Sequence, residues 1–329
     1  MQKIAIIGAG LAGAALAERL VGAGKEVSVF EKSRGSGGRL ASARLDTLSA
    51  DLGAAAIDAR GEAFVGWLKR QQQLGRLEQW QPRVRDFNDQ PVATPAVWVG
   101  KGRNSSFTRE LLSGATLMTQ TRIGVVWPDR EGVLLRDEEG KNLGHFDAVI
   151  CTAPAPQAVR LLEAVPRFAS IADSAVTDPS WVYLAMLDHL PERLADVDII
   201  EGGNEAIARI VVDSNKPGRS GTVLKVEMQR DWSEQYIDLP PETVTYELRM
   251  LLRSWLMEPK ESFAPVQERL HRWLYNCSYQ PSPSQLSLWD EDSRIGACGD
   301  WIAQSGLEGS FLSAQHLADQ LLNSGQSAA

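Results

Sequence analysis

Lys3-Ile4-Ala5-Ile6-Ile7 runs straight into Gly8-Ala9-Gly10-Leu11-Ala12-Gly13, and this junction narrows the possible folds more than any other stretch of the chain. An isoleucine-rich run without polar alternation predicts a strand buried on both faces. The glycines that follow read G-x-G-x-x-G. Gly8 permits a tight turn, Gly10 lets backbone approach a pyrophosphate, and Gly13 lets the next helix, expected from Leu11 to about Gly24, lie close on the sheet. Leu11 and Ala12 then open that helix, where backbone N–H groups meet phosphate. A second strand over 26–30 ends in Glu31, 18 residues after Gly13. A carboxylate there takes adenosine ribose hydroxyls and disfavours a 2′-phosphate. The motif specifies a dinucleotide without distinguishing FAD from NAD.

At 329 residues the chain is long enough for two domains, and its 43% hydrophobic and 23% charged content is that of an ordinary soluble protein. A net charge of -8 argues against a nucleic-acid groove as the main business, while leaving room for a local basic patch. With no cationic, apolar leader ahead of the first strand and no apolar run of about 18 residues, the expectation is a cytoplasmic protein with no membrane partner. Cys151, Cys277 and Cys298 are far apart and form no C-x-x-C pair. Neither a zinc site nor a disulfide framework follows, and no metal is expected. His145, His189, His271 and His316 show no H-E-x-x-H spacing, and no G-x-S-x-G occurs. The chemistry is expected to belong to a cofactor.

After Glu31, residues 32–40 form a glycine-rich loop carrying Lys32, Arg34 and Arg39. Such a segment is either a solvated turn or, placed beside the pyrophosphate crevice, a loop whose Gly37 and Gly38 pass close to the cofactor while Arg39 reaches phosphate oxygens. The small residues of 50–57 follow, and Gly53, Ala54, Ala55 and Ala56 are expected to lie flat against a ring system. Taken together, the leader, the Ser36-Gly37-Gly38-Arg39 loop and the Ala50-Asp51-Leu52-Gly53-Ala54 segment resemble the flavin amine oxidoreductase family, the monoamine and polyamine oxidase fold. Within it the chain is similar to the bacterial renalase-like members.

Between 61 and 77, Phe64, Trp67, Leu68 and Leu74 fall at helical spacing, predicting a helix packed on the core. Residues 79–101 read as irregular strands and turns. Ser105 or Ser106 is expected to cap a helix running to about Leu112. A strand over 116–123, a hairpin over 132–143 and a buried strand over 146–154 come next. The resemblance implies that Ile123 contacts adenine through its backbone. From about 157, a short helix gives way to strands over 181–187, 208–212 and 222–228 and then a helix over about 241–256. Strands with few intervening helices predict an antiparallel sheet. Arg209, Asn215, Lys216 and Arg219 form a cationic cluster that is either a solvated turn or a site for a phosphate-bearing substrate. Along 271–275, alternation puts Trp273 and Tyr275 on one face with His271. Trp273 is either core or, as the resemblance implies, a wall of the substrate pocket.

The chain closes with a strand ending in Gly299-Asp300, then Gly306 to Gly309-Ser310 opening a helix. This supplies a carboxylate for a ribityl hydroxyl and a second helix N-terminus facing the cofactor. A nicotinamide dehydrogenase has no need of a C-terminal strand and helix returning to the nucleotide site, so the cofactor is expected to be FAD. No cysteine adjoins the glycine-rich loop, and FAD is expected to be non-covalent.

The expected fold class is α/β: a FAD-binding Rossmann-like domain of glutathione-reductase type over 1–78, 104–156 and 289–329. An inserted α+β substrate domain, built on an antiparallel sheet, is expected over 79–103 and 157–288. The resemblance implies an oxidase of the 2-dihydro or 6-dihydro isomers of NAD(P)H, giving NAD(P)+ and, with O2, hydrogen peroxide. Its alternatives are an amine oxidase and a flavin-binding protein without turnover.

Overall fold

The computed structural model describes residues 1–257, 263–280 and 285–323. The parts of the expected domains at 258–262, 281–284 and 324–329 lie outside the described residues. The first strand, Lys3–Ile7, sits inside a six-stranded sheet, between the parallel strands Ala148–Cys151 and Glu26–Phe30. Thr116–Met118 extends it on one side. On the other, Ile295–Ala297 is followed by an antiparallel edge, Leu288–Asp290. Alternation along the first strand divides the interior. Ile4 and Ile6 enter one core with the helices Leu11–Gly22, Glu62–Gln73 and Gly306–Asn323, while Ala5 and Ile7 enter another. That second core lies under the antiparallel sheet of Ile123–Pro128, Val133–Asp137 and Asn142–Phe146. In the first core Trp67 stacks on Phe311 at 4.7 Å, so its helical spacing served packing.

A seven-stranded sheet is the second large sheet, in the order Gln267–Tyr279, Val176–Met186, Val223–Met228, Ile207–Val212, Ile199–Glu201, Val84–Arg85 and Pro91–Val92. It is antiparallel except where Val84–Arg85 pairs with Ile199–Glu201. One face is covered by the helix Pro241–Leu256, whose buried Val244, Leu248, Leu252 and Leu256 recur every four residues. Against the other face packs the hairpin of Ser42–Leu45 and Leu48–Asp51.

Two local expectations are corrected. The helix expected to be capped by Ser105 or Ser106 begins at Asn104, follows Arg103 and has no side-chain cap. Asn104 is instead used in tertiary contacts, accepting the Gly100 N–H at 2.8 Å and donating to the Ala54 carbonyl at 2.9 Å. Beyond the short helix Ala155–Leu161 lies a second one, Pro166–Asp173, opened by a proline in its first turn. Among the described residues no helix is long and apolar enough to cross a membrane, and no cluster of His, Cys, Asp and Glu is placed to hold a metal.

Candidate functional site

The glycine turn has two kinds of glycine. Gly8 has φ +110° and a Cβ there would come within 2.6 Å of Thr152 Oγ1, which itself donates to the carbonyls of Ile7 and Gly8. A Cβ on Gly13 would collide with the Gly8 carbonyl oxygen. Both are required by the protein's own packing. Gly10 is not: its nearest neighbour would be Gly38 Cα at 3.9 Å, and it opens on a cavity. The helix it precedes has no side-chain cap. A glycine that leaves space in front of uncapped helical N–H groups suits a phosphate, whose oxygens supply the missing acceptors.

Glu31 is buried, 7% exposed, and holds two turns together: Oε2 accepts the Ala9 N–H at 3.0 Å and Oε1 the Ser33 N–H at 2.7 Å. Lys32 donates to Gln157 Oε1 at 2.8 Å. Arg39 makes a bidentate pair with Asp300, 2.5 and 2.6 Å, joining residues 261 apart in sequence. Although burial works against its charge, the Asp300 carboxylate holds the Arg39 guanidinium above its ordinary pKa. Arg39 was expected on phosphate and Asp300 on a ribityl hydroxyl; the structure pairs them with each other.

Those residues surround a cavity of about 980 Å³. Gly8, Gly10, Leu11 and Ala12 line one end with Glu31, Lys32, Gly38, Arg39 and Ile123; Asp300 and Ser310 come in from the C-terminal segment. Trp273, His271 and Tyr275 line it from the edge strand of the other sheet. The His271 and Trp273 rings meet edge-on at 4.5 Å, and Trp273 Nε1 donates to the Leu52 carbonyl at 3.3 Å. Gly13, Gly53, Ala54, Ala55 and Gly309 do not line the cavity. Gly53 lies against the loop, where a Cβ would collide with the Arg39 carbonyl, and Gly309 lies against the Gln304 carbonyl in the same way. The Gly53 carbonyl is occupied by the Lys225 ammonium. Thr152, Gln157, Arg160 and Trp301 line the cavity without having been singled out in the sequence. Apart from Thr152 and its neighbours following a buried strand, no local pattern marks them.

The cationic cluster of 209–219 is corrected outright. Lys216 is fully buried and paired with Asp51 at 2.9 Å and with Asp213; Arg219 meets Asp51 at 2.8 Å, and Arg209 meets Glu201 at 2.7 Å. Burial would raise the Asp51 pKa, but Lys216 and Arg219 outweigh it and hold the carboxyl well below its usual range. Lys216 and Arg219 join the hairpin to the second sheet, Arg209 pairs within that sheet, and each cation already has a carboxylate.

Residues 96–322 match the family described as Flavin containing amine oxidoreductase, and residues 6–69 match a NAD(P)-binding Rossmann-like domain. A curated relative is the 4,4'-diapophytoene desaturase (4,4'-diaponeurosporene-forming) of Staphylococcus aureus strain MRSA252. It is 44% identical over 56 residues, which are 17% of this chain and 11% of the desaturase. The similarity thus spans about a tenth of that relative's length. Solved structures resemble the chain as a whole. Cyclohexylamine oxidase from Brevibacterium oxydans IH-35A has a TM-score of 0.74 at 13% identity, covering 99% of each chain. Reduced UDP-galactopyranose mutase has a TM-score of 0.72 at 14% identity, covering 98% of this chain and 94% of that one. Wild-type putrescine oxidase bound to putrescine has 0.69 at 12%, covering 98% and 99%. At these identities the likeness is one of fold.

Proposed function

The chain belongs to the flavin containing amine oxidoreductase family, and from that membership we propose that it is an FAD-dependent oxidase of isomeric dihydronicotinamide dinucleotides. These are the 2-dihydro and 6-dihydro forms of NAD(P)H, the substrates of the renalase-like enzymes it resembles. One observation carries the reading. In a protein of net charge -8, the residues lining the cavity include eight Lys and Arg, Arg272 with its guanidinium turned to the Ile237 carbonyl, against three Asp and Glu. Such a lining suits dinucleotides, with their phosphates, and repels a cationic amine.

The open face of Gly10 and the uncapped helix behind it fit a pyrophosphate. In this reading Gly8, Gly10, Leu11, Ala12 and Gly13 form the pyrophosphate turn, Glu31 and Lys32 meet the adenosine, Ile123 offers backbone to adenine, and Gly38 with Arg39 closes over the phosphates. Asp300, Gly309 and Ser310 attend the ribityl and ring end, while Gly53, Ala54 and Ala55 support the loop from behind. The cofactor is non-covalent: Cys151 and Cys298 are buried, Cys277 contacts Ser305, and none of the three lines the cavity. Segments 1–78, 104–156 and 289–329 form the cofactor domain; 79–103 and 157–288 form the substrate domain, acting in the cytoplasm.

FAD held in the cavity would supply the redox chemistry, two electrons passing as hydride from the dihydronicotinamide and on to O2, so that overall NAD(P)H isomer, O2 and a proton would become NAD(P)+ and H2O2. The protein's part is to orient and shield. Trp273 presents a flat apolar wall, and the seven-stranded sheet behind it excludes water. A dihydronicotinamide gives up hydride without losing a proton, so no general base is required. The carboxylates of the lining are consistent with that. Glu31 is taken by backbone N–H groups, Glu138 lies 3.3 Å from Arg122, and Asp300 is paired with Arg39.

Anaerobic mixing of the FAD-loaded protein with the 2- and 6-dihydro isomers tests the proposal. Loss of the oxidised flavin band is expected with at least one of them. Bleaching by putrescine or cyclohexylamine, with both isomers inert, would make the protein an amine oxidase instead.

A further inference from the structure

We infer that Lys225 is a positioning residue: through the Gly53 carbonyl its buried ammonium fixes residues 51–54, and with them the placing of the Trp273 wall against the loop of 38–41. The inference deepens the oxidase reading and rests on it for what lies between those two walls.

The strand Val223–Met228 reads Val-Leu-Lys-Val-Glu-Met, and alternation gives it two unlike faces. Leu224, Val226 and Met228 enter the core covered by the helix Pro241–Leu256. Val223 packs on the other face, in one apolar cluster with Leu52 and Trp273, so Lys225 and Glu227 point the same way. A fully buried ammonium on that face needs acceptors. Two meet it: Glu227 Oε1 at 2.6 Å and the Gly53 carbonyl. Glu227 lies 3.7 Å from Arg209, its neighbour across the sheet, and Arg209 lies 2.7 Å from the half-buried Glu201. Charges of alternating sign thus run inward from Glu201 and end on a backbone carbonyl.

That carbonyl belongs to the segment from which both walls hang. Three consecutive residues attach it to the second sheet: the Asp51 carboxylate meets Lys216 and Arg219, the Leu52 carbonyl accepts Trp273 Nε1 at 3.3 Å, and the Gly53 carbonyl accepts Lys225. The same segment carries the loop. The Leu52 and Gly53 N–H groups both donate to the Ala41 carbonyl at 2.9 Å, and the Ala54 N–H donates to the Arg39 carbonyl at 2.7 Å. Backbone contact is close enough there that a Cβ on Gly53 would stand 2.0 Å from the Arg39 carbonyl oxygen. Gly38, Arg39, Leu40 and Ala41 line the cavity, as does Trp273. Asp51 is tied through its side chain, whereas Lys225 holds the backbone carbonyl next to the one that receives Trp273. Without that ammonium the Gly53 carbonyl is a buried acceptor lacking its donor, and the adjoining Leu52–Gly53 peptide is free to turn and take the Trp273 ring with it.

Fluorine NMR of the FAD-loaded protein labelled with fluorotryptophan follows the wall directly, the Trp273 line being assigned by its loss in Trp273→Phe. In Lys225→Met that line is expected to shift and broaden, and the KM for the dihydronicotinamide isomers to rise about three- to tenfold with kcat changed less than about twofold. Should Lys225→Met fold poorly, Lys225→Met with Glu227→Gln removes the neighbouring carboxylate as well and is expected to move the line in the same way. Leu224→Ala, on the other face of the strand, serves as the control: its melting temperature should fall while the Trp273 line and KM stay as they were. A Trp273 line unmoved by either Lys225 variant would overturn the inference, and so would one moved equally by Leu224→Ala. If the line moves but neither isomer bleaches the flavin, the positioning role stands and the oxidase reading fails. If the isomers are oxidised by Lys225→Met with unchanged KM and an unmoved line, the positioning role fails and the oxidase reading stands.

Discussion

Identical residue types in one motif answer to different physics. Gly13 is required by the Gly8 carbonyl oxygen, whereas at Gly10 the protein itself leaves room. Gly13→Ala should therefore cost about 3 kcal/mol or more of stability, the range of an overpacked core. Gly10→Ala should cost about 1 kcal/mol or less, the difference between Gly and Ala at a helix start. Thermal melts of the flavin-free proteins measure the first effect. The ratio of flavin to protein absorbance measures the second, which should fall sharply for Gly10→Ala despite its near-normal fold. Asp51 offers a test by pH. Its carboxyl is held low by Lys216 and Arg219, so its contribution is fully present above the unfolded value of about 3.9 and disappears as pH falls toward the lower folded value. Urea unfolding of the natural protein should lose stability between roughly pH 5 and pH 2. Asp51→Asn should be about 3–5 kcal/mol less stable at pH 7, with two buried cations left short of a carboxylate, and its stability should change less over that acid range.

At the scale of elements, the edge strand Gln267–Tyr279 does two jobs with its two faces. Leu270 packs toward the core under Pro241–Leu256, and Arg269, His271 and Trp273 look into the cavity. Substitutions on the two faces should separate cleanly. Trp273→Leu is expected to raise the KM of the oxidised substrate several-fold with flavin content unchanged, read from steady-state kinetics and the flavin spectrum. Leu248→Ala, inside the covering helix, should cost about 2–4 kcal/mol and leave KM near normal. The strand's alternation was readable from 271–275, but which face met the cavity was not. That depended on pairing with Val176–Met186, where Val182 stands opposite His271 and Ser180 opposite Trp273.

For the whole molecule, charge is distributed against its sum: a net -8 encloses a cavity in which cations outnumber anions. Anionic ligands therefore approach a locally positive opening in a negative body, and salt should weaken their binding. FAD reloading onto the flavin-free protein should be several-fold weaker at 500 mM than at 50 mM NaCl, concentrations spanning Debye lengths of about 4 to 14 Å. Fluorescence quenching of free FAD measures this, and an affinity indifferent to salt would show that the cations play no part.

By itself the sequence determined what is encoded locally and repeated by chemistry. Ile4 to Gly13 dictated a strand, turn and helix because burial on both faces and close backbone approach leave few other residue choices. The hairpin of 132–143 was legible because Val133 and Leu135 alternate with outward residues, and both are fully buried. What only the tertiary structure decided was the partner of each charge. Lys216, Arg219 and Arg209 read as a cationic cluster until Asp51 and Glu201 arrived from other strands, joining the local Asp213 three residues before Lys216. Arg39 and Asp300 were each read as facing the cofactor, and only folding showed that they also pair with each other across 261 positions. Periodicity reports which side of an element is apolar; it carries no information about which distant carboxylate will desolvate a given guanidinium.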